Sequence, residues 1–410
     1  MKLSICTIFK NEERFLPEYL IEHSGLPCEL ILVDTGSTDR SVEICKKYAV
    51  KTFVYPWNND FSKAKNFAIT QASGDWILFL DADERIPKAK LLDLIRELPK
   101  LSAQAYRLEL LSTRDEHWKS DTLNLESVQW HVRLFRNQTN YRYRHSIHEN
   151  IVESLEEAGA QILDLANTQI FHLGYMDELI ASKTIRNIPL IKAAFEQDPT
   201  DPRNLIYMAK CHRDNPTLFW NYLENAYKNR SRGYLMDVCE EAFQFILDHE
   251  DHDNYKIWEN RILSLEPNHP SPNLFKARIE YKNHKLEVAK EYYEKVEQNL
   301  RFFLHGNYHG EVYVRLALLN AMRSKPNLAL HYLNLESQWA KPNVDSWFLR
   351  LKLLFSMRKA QDFVNLLEVL PPNFNELDQR RLQELLQYIN SIEFPNKSQV
   401  IEQIKNAKLK

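Results

Sequence analysis

The sequence predicts an α/β mixed sheet with flanking helices, followed by an all-α region. Three observations carry that expectation. From Leu3 to Leu80, short apolar runs alternate with helical patterns. The last of these runs, Trp76 to Leu80, ends on the acid pair Asp81 and Asp83. From about Asp177 onward the strand signal gives way to helical periodicity broken by prolines.

The elements follow in order. Leu3 to Phe9 reads as a strand, Glu12 to Glu22 as a helix, Leu30 to Val33 as a strand and Asp39 to Tyr48 as a helix. Thr52 to Tyr55 continues as a strand, Phe61 to Ala72 as a helix and Trp76 to Leu80 as a buried strand. A β-α-β-α rhythm implies a parallel sheet with helices on its faces, in which ligands collect at the carboxyl ends of the strands. Three polar clusters fall there: Lys10-Asn11-Glu12, Asp34-Thr35-Gly36-Ser37 and Asp81-Ala82-Asp83-Glu84. Tyr106 to Leu111, Val132 to Phe135 and Tyr141 to Tyr143 look like further strands that extend the sheet with mixed direction.

The helical remainder breaks at Pro199, Pro202, Pro267, Pro270, Pro272, Pro326, Pro342 and Pro371-Pro372. Pro202 to Arg213 and Pro272 to Val296 echo each other, each with a proline before a helix that carries a small residue, Ala209 or Ala277. Ala289 lies on the next helix, and Ala317 and Ala329 continue the echo. Small residues where helices touch suggest antiparallel helix pairs stacked as a solenoid, similar to tetratricopeptide repeats. An irregular helical domain is the alternative. The boundary expected is a sheet domain over 1–175 and a helical domain over 176–410.

At 410 residues the chain is long for one core. Hydrophobic residues are 44% and charged residues 27%, an ordinary globular balance, and the formal net charge of −3 gives no reason to expect a nucleic-acid partner. No segment approaches the ~18 apolar residues of a membrane span. The start, Met1 to Asn11, does not read as a signal peptide. Five scattered cysteines without paired CxxC spacing fit reduced thiols and a cytoplasmic location better than a disulfide framework or a zinc site.

Two carboxylates at the end of a buried strand are costly to desolvate if left unpaired. A divalent cation bound to a diphosphate resolves that cost, because it takes hard oxygen ligands and keeps places for phosphates. An exposed turn with helix-capping acids is the plainer explanation of the same pair. Gly36 suits a tight turn and Thr38 or Asp39 a helix cap, which leaves Asp34 as a strand-end carboxylate able to accept from a pyrimidine N–H. Lys65 and Asn66 open a helix, where a cation reaches phosphate oxygens or is simply solvated. His145, His148 and His172 are candidate ligands or ordinary surface or core histidines, and Glu149 is a candidate general base if it reaches an acceptor proton.

Taken together, Cys6-Thr7-Ile8-Phe9-Lys10-Asn11-Glu12, Asp34 to Asp39 and Gly74 to Glu84 resemble the family 2 glycosyltransferases of the GT-A fold, with Asp81-Ala82-Asp83 similar to the family's DxD motif. Trp57 to Asn66 is similar to a W-x-x-D-F-S-x-A-R-N stretch in which Lys65 replaces the arginine. Arg133 to Arg136, Ile147-His148-Glu149 and His172-Leu173-Gly174-Tyr175 are similar to a subgroup that includes the S-glycosyltransferases of bacteriocin peptides, which carry a tetratricopeptide-like helical domain. The resemblance implies that Thr7, Phe9, Glu12 and Asp34 line the nucleoside pocket, and that Lys65 approaches the ribose or diphosphate. It further implies that Asp81 contacts the ribose or metal side, that Asp83 and His172 ligate Mg²⁺ or Mn²⁺, and that Glu149 is the catalytic base. A UDP-sugar donor and inversion at the anomeric carbon come with it. No Gln-x-x-Arg-Trp is found, which argues against a processive polysaccharide synthase.

A peptide or protein acceptor suits a helical solenoid, whose concave face holds extended chains. A lipid-linked or cell-surface saccharide is the alternative acceptor. A non-catalytic helical scaffold is the alternative from another class, and intact Asp34, Asp81 and Asp83 argue against it. A homodimer through the helical domain is compatible with the sequence.

Overall fold

The structure, a computed structural model, describes residues 1–410 except 49, 114–117, 120–124, 175–176, 230–233, 304–305, 338, 340–342, 372–373 and 409–410. Tyr175, Pro342 and Pro372 therefore lie outside the described residues.

The strands are β1 (Leu3–Phe9), β2 (Glu29–Asp34), β3 (Lys51–Val54), β4 (Trp76–Phe79), β5 (Glu84–Arg85), β6 (Ala105–Thr113), β7 (Leu125–Arg136) and β8 (Ile162–His172). They form one mixed sheet in the order β3-β2-β1-β4-β7-β6-β8-β5. β3, β2, β1 and β4 are parallel, with Phe9 opposite Asp34 and Cys6 opposite Phe79. Their carboxyl ends therefore lie along one edge, and the three polar clusters come together there.

β1, β2 and β4 read as nearly unbroken apolar runs because both faces are covered. On one face Leu3, Ile5, Leu32 and Leu78 pack with Leu16 and Leu20 of α1 (Leu16–His23), and with Leu91 and Leu94 of α4 (Lys88–Glu97). On the other face Cys6, Ile31, Val33, Ile77 and Phe79 pack with Ala68 and Ile69 of α3 (Phe61–Thr70). Between α1 and α3 lies α2 (Ser41–Lys47), whose Ile44 and Cys45 join the first face. α1 starts later than the expected Glu12 because Pro17, which lacks a backbone N–H, sits in its first turn.

Gly74 sets the approach into β4. A Cβ there would lie 2.7 Å from both the backbone nitrogen and Oγ of Ser4, and 2.9 Å from the carbonyl carbon of Leu3. Backbone cannot give way as a flexible side chain does. Gly74→Ala is therefore expected to destabilise the protein by about 1–3 kcal/mol, read as a fall in thermal midpoint. An unchanged midpoint would contradict this packing.

Two expectations are corrected. Tyr141 to Tyr143 is not a strand. The Asn66 side chain takes the place of a ladder partner there: its amide donates to the Tyr143 carbonyl at 2.8 Å, and its carbonyl accepts from the Tyr143 N–H at 2.8 Å. The rings of Tyr141 and Tyr143 are buried in the second face. Conversely, Ile162–His172 is a full strand that the periodicity did not mark. Its charged and amide residues face outward, and its pairing with β6 shifts register at Leu108/Glu109.

After α5 (Val152–Glu157) and β8, every described element is helical. The chain groups into two compact units, one of residues 1–118 and 127–245 and the other of 119–126 and 246–410. The first unit takes in α6 (Asp177–Gln197), α7 (Pro202–Lys210), α8 (Pro216–Lys228) and the start of α9 (Leu235–His249). In it Leu190, Ile191 and Met208 pack with Ile147, Trp57 and Phe61. The second unit holds the successive helices Ser271–Lys282, Leu286–Glu297, Gly306–Met322 and Pro326–Glu336. Ala277, Ala289, Ala317 and Ala329 are all fully buried, as are Ala209 and Ala226 of α7 and α8. Small residues at those positions let neighbouring helices approach closely, as the repeat pattern requires. Among the described residues no helix is long and apolar enough to cross a membrane, and all five cysteines are free thiols.

Candidate active site

The first two strand-end loops are joined side by side. Asn11 has φ 57°, in the left-handed region where asparagine is tolerated. Its side-chain Oδ1 accepts from the Thr38 N–H at 2.8 Å, and its backbone N–H donates to Ser37 Oγ at 3.0 Å. The Glu12 N–H donates to Ser41 Oγ at 2.8 Å, and the Thr35 N–H to the Phe9 carbonyl at 2.9 Å. Asp34 is buried and turns its own loop: Oδ1 accepts from the Ser37 N–H at 2.9 Å and the Gly36 N–H at 3.3 Å. Phe9 is buried in the sheet core. Thr7 is fully buried, with its hydroxyl 2.5 Å from that of Tyr19, so its side chain meets α1.

The third loop carries the charge. Lys65 is 4% exposed and lies between two carboxylates, 2.7 Å from Glu149 Oε1 and 3.3 Å from Asp81 Oδ1. Its ammonium also sits 4.7 Å from the Phe79 ring centre and 5.2 Å from that of Tyr143. Burial disfavours the charged amine, but Asp81 and Glu149 outweigh it and hold the Lys65 pKa above its ordinary value. Arg133 on β7 reaches Glu84 at 2.5 Å and Asp81 at 3.3 Å. Burial alone would raise Asp81, yet Lys65 and Arg133 bring it down to about 2. Glu84, deeper, is pushed up to about 7 by burial despite Arg133.

The turn itself is braced. The Asp81 N–H donates to Glu84 Oε2 at 2.9 Å, and the Glu84 N–H to the Asp81 carbonyl at 3.0 Å. Arg85 is fully buried and donates to the carbonyls of Phe15, Ala82 and Glu84 at 2.6, 2.7 and 2.9 Å. It thereby ties the acidic turn to the start of α1.

β5 pairs antiparallel with β8 and sets Glu84 opposite His172. That pairing brings His172 Nε2 to 3.3 Å from Asp83 Oδ2, with Ser112 Oγ 3.4 Å from the other ring nitrogen. Two donors that each bind one ion at roughly 2.1 Å stand about 3 Å apart, so this carboxylate and imidazole fit a shared divalent cation. Among the described residues no three His, Cys, Asp or Glu side chains form a fuller cage. A two-donor set leaves the other positions to diphosphate oxygens and water.

The geometry thus groups Lys65, Asp81 and Glu149, and separately Asp83 and His172. Sequence reasoning missed Arg85 and Tyr19. It named Arg133 within the Arg133-Leu134-Phe135-Arg136 subgroup pattern, and not its partners Asp81 and Glu84.

The parallel strand ends present paired acids beside a buried lysine, along the edge at which open α/β sheets collect their ligands. Residues 4–151 match the model described as Glycosyl transferase family 2, and this part of the chain is a family 2 glycosyltransferase domain. A tetratricopeptide-repeat protein of Synechococcus elongatus is 33% identical over 179 residues, 42% of this chain and 42% of its own length. The SPbeta prophage-derived glycosyltransferase SunS of Bacillus subtilis is 29% identical over 193 residues, 44% of this chain and 42% of its own. An uncharacterised glycosyltransferase of Haemophilus influenzae is 46% identical over 97 residues, 22% of this chain and 39% of its own. The chain thus spans about two-fifths of the length of these relatives.

Proposed function

We propose that this chain transfers a sugar from a UDP-sugar to a peptide or protein side chain in a single displacement with inversion. The observation that carries the reading is the Asp81–Lys65–Glu149 series, with its lysine buried, beside the Asp83–His172 pair. The family 2 domain over 4–151 supports the reaction type. The resemblance of the sequence to the S-glycosyltransferases of bacteriocin peptides and the helical pairs support a peptide acceptor.

The nucleoside sits across the joined loops, and Asp34 Oδ2 is available to a pyrimidine N–H. Lys65 fixes where Glu149 points, and Arg133 fixes Asp81. Glu149 takes the proton from the acceptor thiol or hydroxyl as that atom bonds to the anomeric carbon, and the bond to UDP breaks with its electrons going to the diphosphate. Asp83 and His172 would hold a divalent cation, which would supply neutralising charge at the departing diphosphate.

The acceptor class is read by incubating the full chain with UDP-sugars and either peptides or lipid-linked saccharides, then weighing the products. A peptide gaining one hexose mass is the expected result. Transfer to the lipid-linked saccharide alone would overturn the acceptor assignment.

A further inference from the structure

We propose that Tyr207 and Arg203 of α7 are positioning residues for Glu149, so that the first helices after the sheet are working parts of the transfer site. The proposal rests on the reading of Glu149 as the base.

Glu149 lies in a short loop closed at its base by Arg144 and Asn150, whose N–H groups donate to each other's carbonyls at 2.8 and 3.0 Å. Within it His145 has φ 72° and His148 has φ 52°. Two non-glycine residues in the left-handed region hold that conformation only where the surroundings impose it. The surroundings here are specific. The Ser146 carbonyl accepts from the Phe61 N–H at 2.8 Å, which ties the loop to the start of α3. On the other side stands α7. Arg203 Nη2 donates to His145 Nδ1 at 2.7 Å, which makes the opposite nitrogen the donor to Glu153 at 2.9 Å. Arg203 is itself held by Asp201 at 2.5 Å, and the Tyr234 hydroxyl donates to Glu153 at 2.5 Å. One turn along α7, the Tyr207 ring lies flat on the His148 ring, with centres 3.4 Å apart and planes 1° from parallel.

His148 directly precedes Glu149, so both left-handed residues of the loop are gripped by α7 side chains. The carboxylate that results stands 2.7 Å from Lys65. Without the stack and the guanidinium, the left-handed residues relax toward ordinary backbone angles and carry Glu149 away from the acceptor. Neither Arg203 nor Tyr207 touches substrate in this account. Each acts through the loop.

The test uses the full chain, with active sites counted by calorimetric UDP binding. Tyr207→Ala is expected to lower kcat on the order of 10–100-fold while donor KM and UDP affinity stay within about twofold of wild type. Tyr207→Phe keeps the ring and is expected to restore wild-type kcat. Arg203→Lys, which keeps charge but not the fork, is expected to fall like Tyr207→Ala. A purely structural role would reduce the number of UDP-binding sites or the thermal midpoint and leave kcat per site unchanged. An active wild type with unimpaired Tyr207→Ala sinks the positioning role alone. A wild type that binds UDP yet transfers to no acceptor sinks the base assignment, and the positioning role with it.

Discussion

Replacing Glu149 with glutamine is expected to leave donor binding near wild type and to lower kcat on the order of 10²–10⁴-fold, the usual contribution of a positioned general base. The substitution keeps the size and planarity of the side chain, so the packing around Lys65 changes little. Lys65 retains Asp81 at 3.3 Å, and the hydrogen bonds that join the first two strand-end loops, through Asn11, Ser37 and Thr38, do not involve position 149. What is lost is the oxygen that accepts the proton. In free-energy terms the effect is about 3–5 kcal/mol of transition-state stabilisation. The split between kcat and KM decides the role. A rise in donor KM at constant kcat would make Glu149 a binding residue, and unchanged turnover would remove it from the chemistry.

The parts of this fold that were legible in the sequence are those where burial alone dictates residue type. β1, β2 and β4 are covered on both faces, so Leu3–Phe9, Glu29–Asp34 and Trp76–Phe79 stand out as apolar runs and end where the polar clusters begin. The helix pairs were legible for a similar reason, since close approach requires alanine at the contact. β8 was not legible, because it lies near the sheet's far edge with many side chains in solvent, where polar residues hide the alternation. Tyr141 to Tyr143 misled because buried aromatics suit a strand, and nothing local reveals that Asn66, far away in sequence, bonds the backbone.

The same limit governs the site. The acid pair announced itself by its place after β4. That Asp81 turns toward Lys65 and Arg133, while Asp83 meets His172, depends on β5 pairing with β8. Lys65 was expected near the ribose or diphosphate, whereas its ammonium bridges two carboxylates. Thr7 fits the family pattern by position, and its side chain serves the core. Arg203 and Tyr207 carry no local signal, because their effect arises only when α7 folds back on the loop at 145–149.

Asp83 gives the second large effect. The two acids are unequal: Asp81 has two cationic partners, and Asp83 stands at the imidazole of His172. Removing the Asp83 carboxylate takes away one of the two donors that fit a divalent cation and leaves the ion pairs of Asp81 in place. The fold should survive, because Asp83 contributes its backbone carbonyl to the Leu173 N–H at 2.9 Å whatever its side chain. Charge stabilisation at the departing diphosphate is what falls, with a loss on the order of 10²–10³-fold.

UDP release from a panel of UDP-sugars in Mn²⁺, by wild type and Asp83→Ala, is therefore the most direct measurement. The account predicts that wild type releases UDP, that a chelator suppresses it, and that Asp83→Ala releases at least on the order of 10²-fold less at the same protein concentration. Equal release by the two proteins, or wild-type release indifferent to chelator, would contradict it.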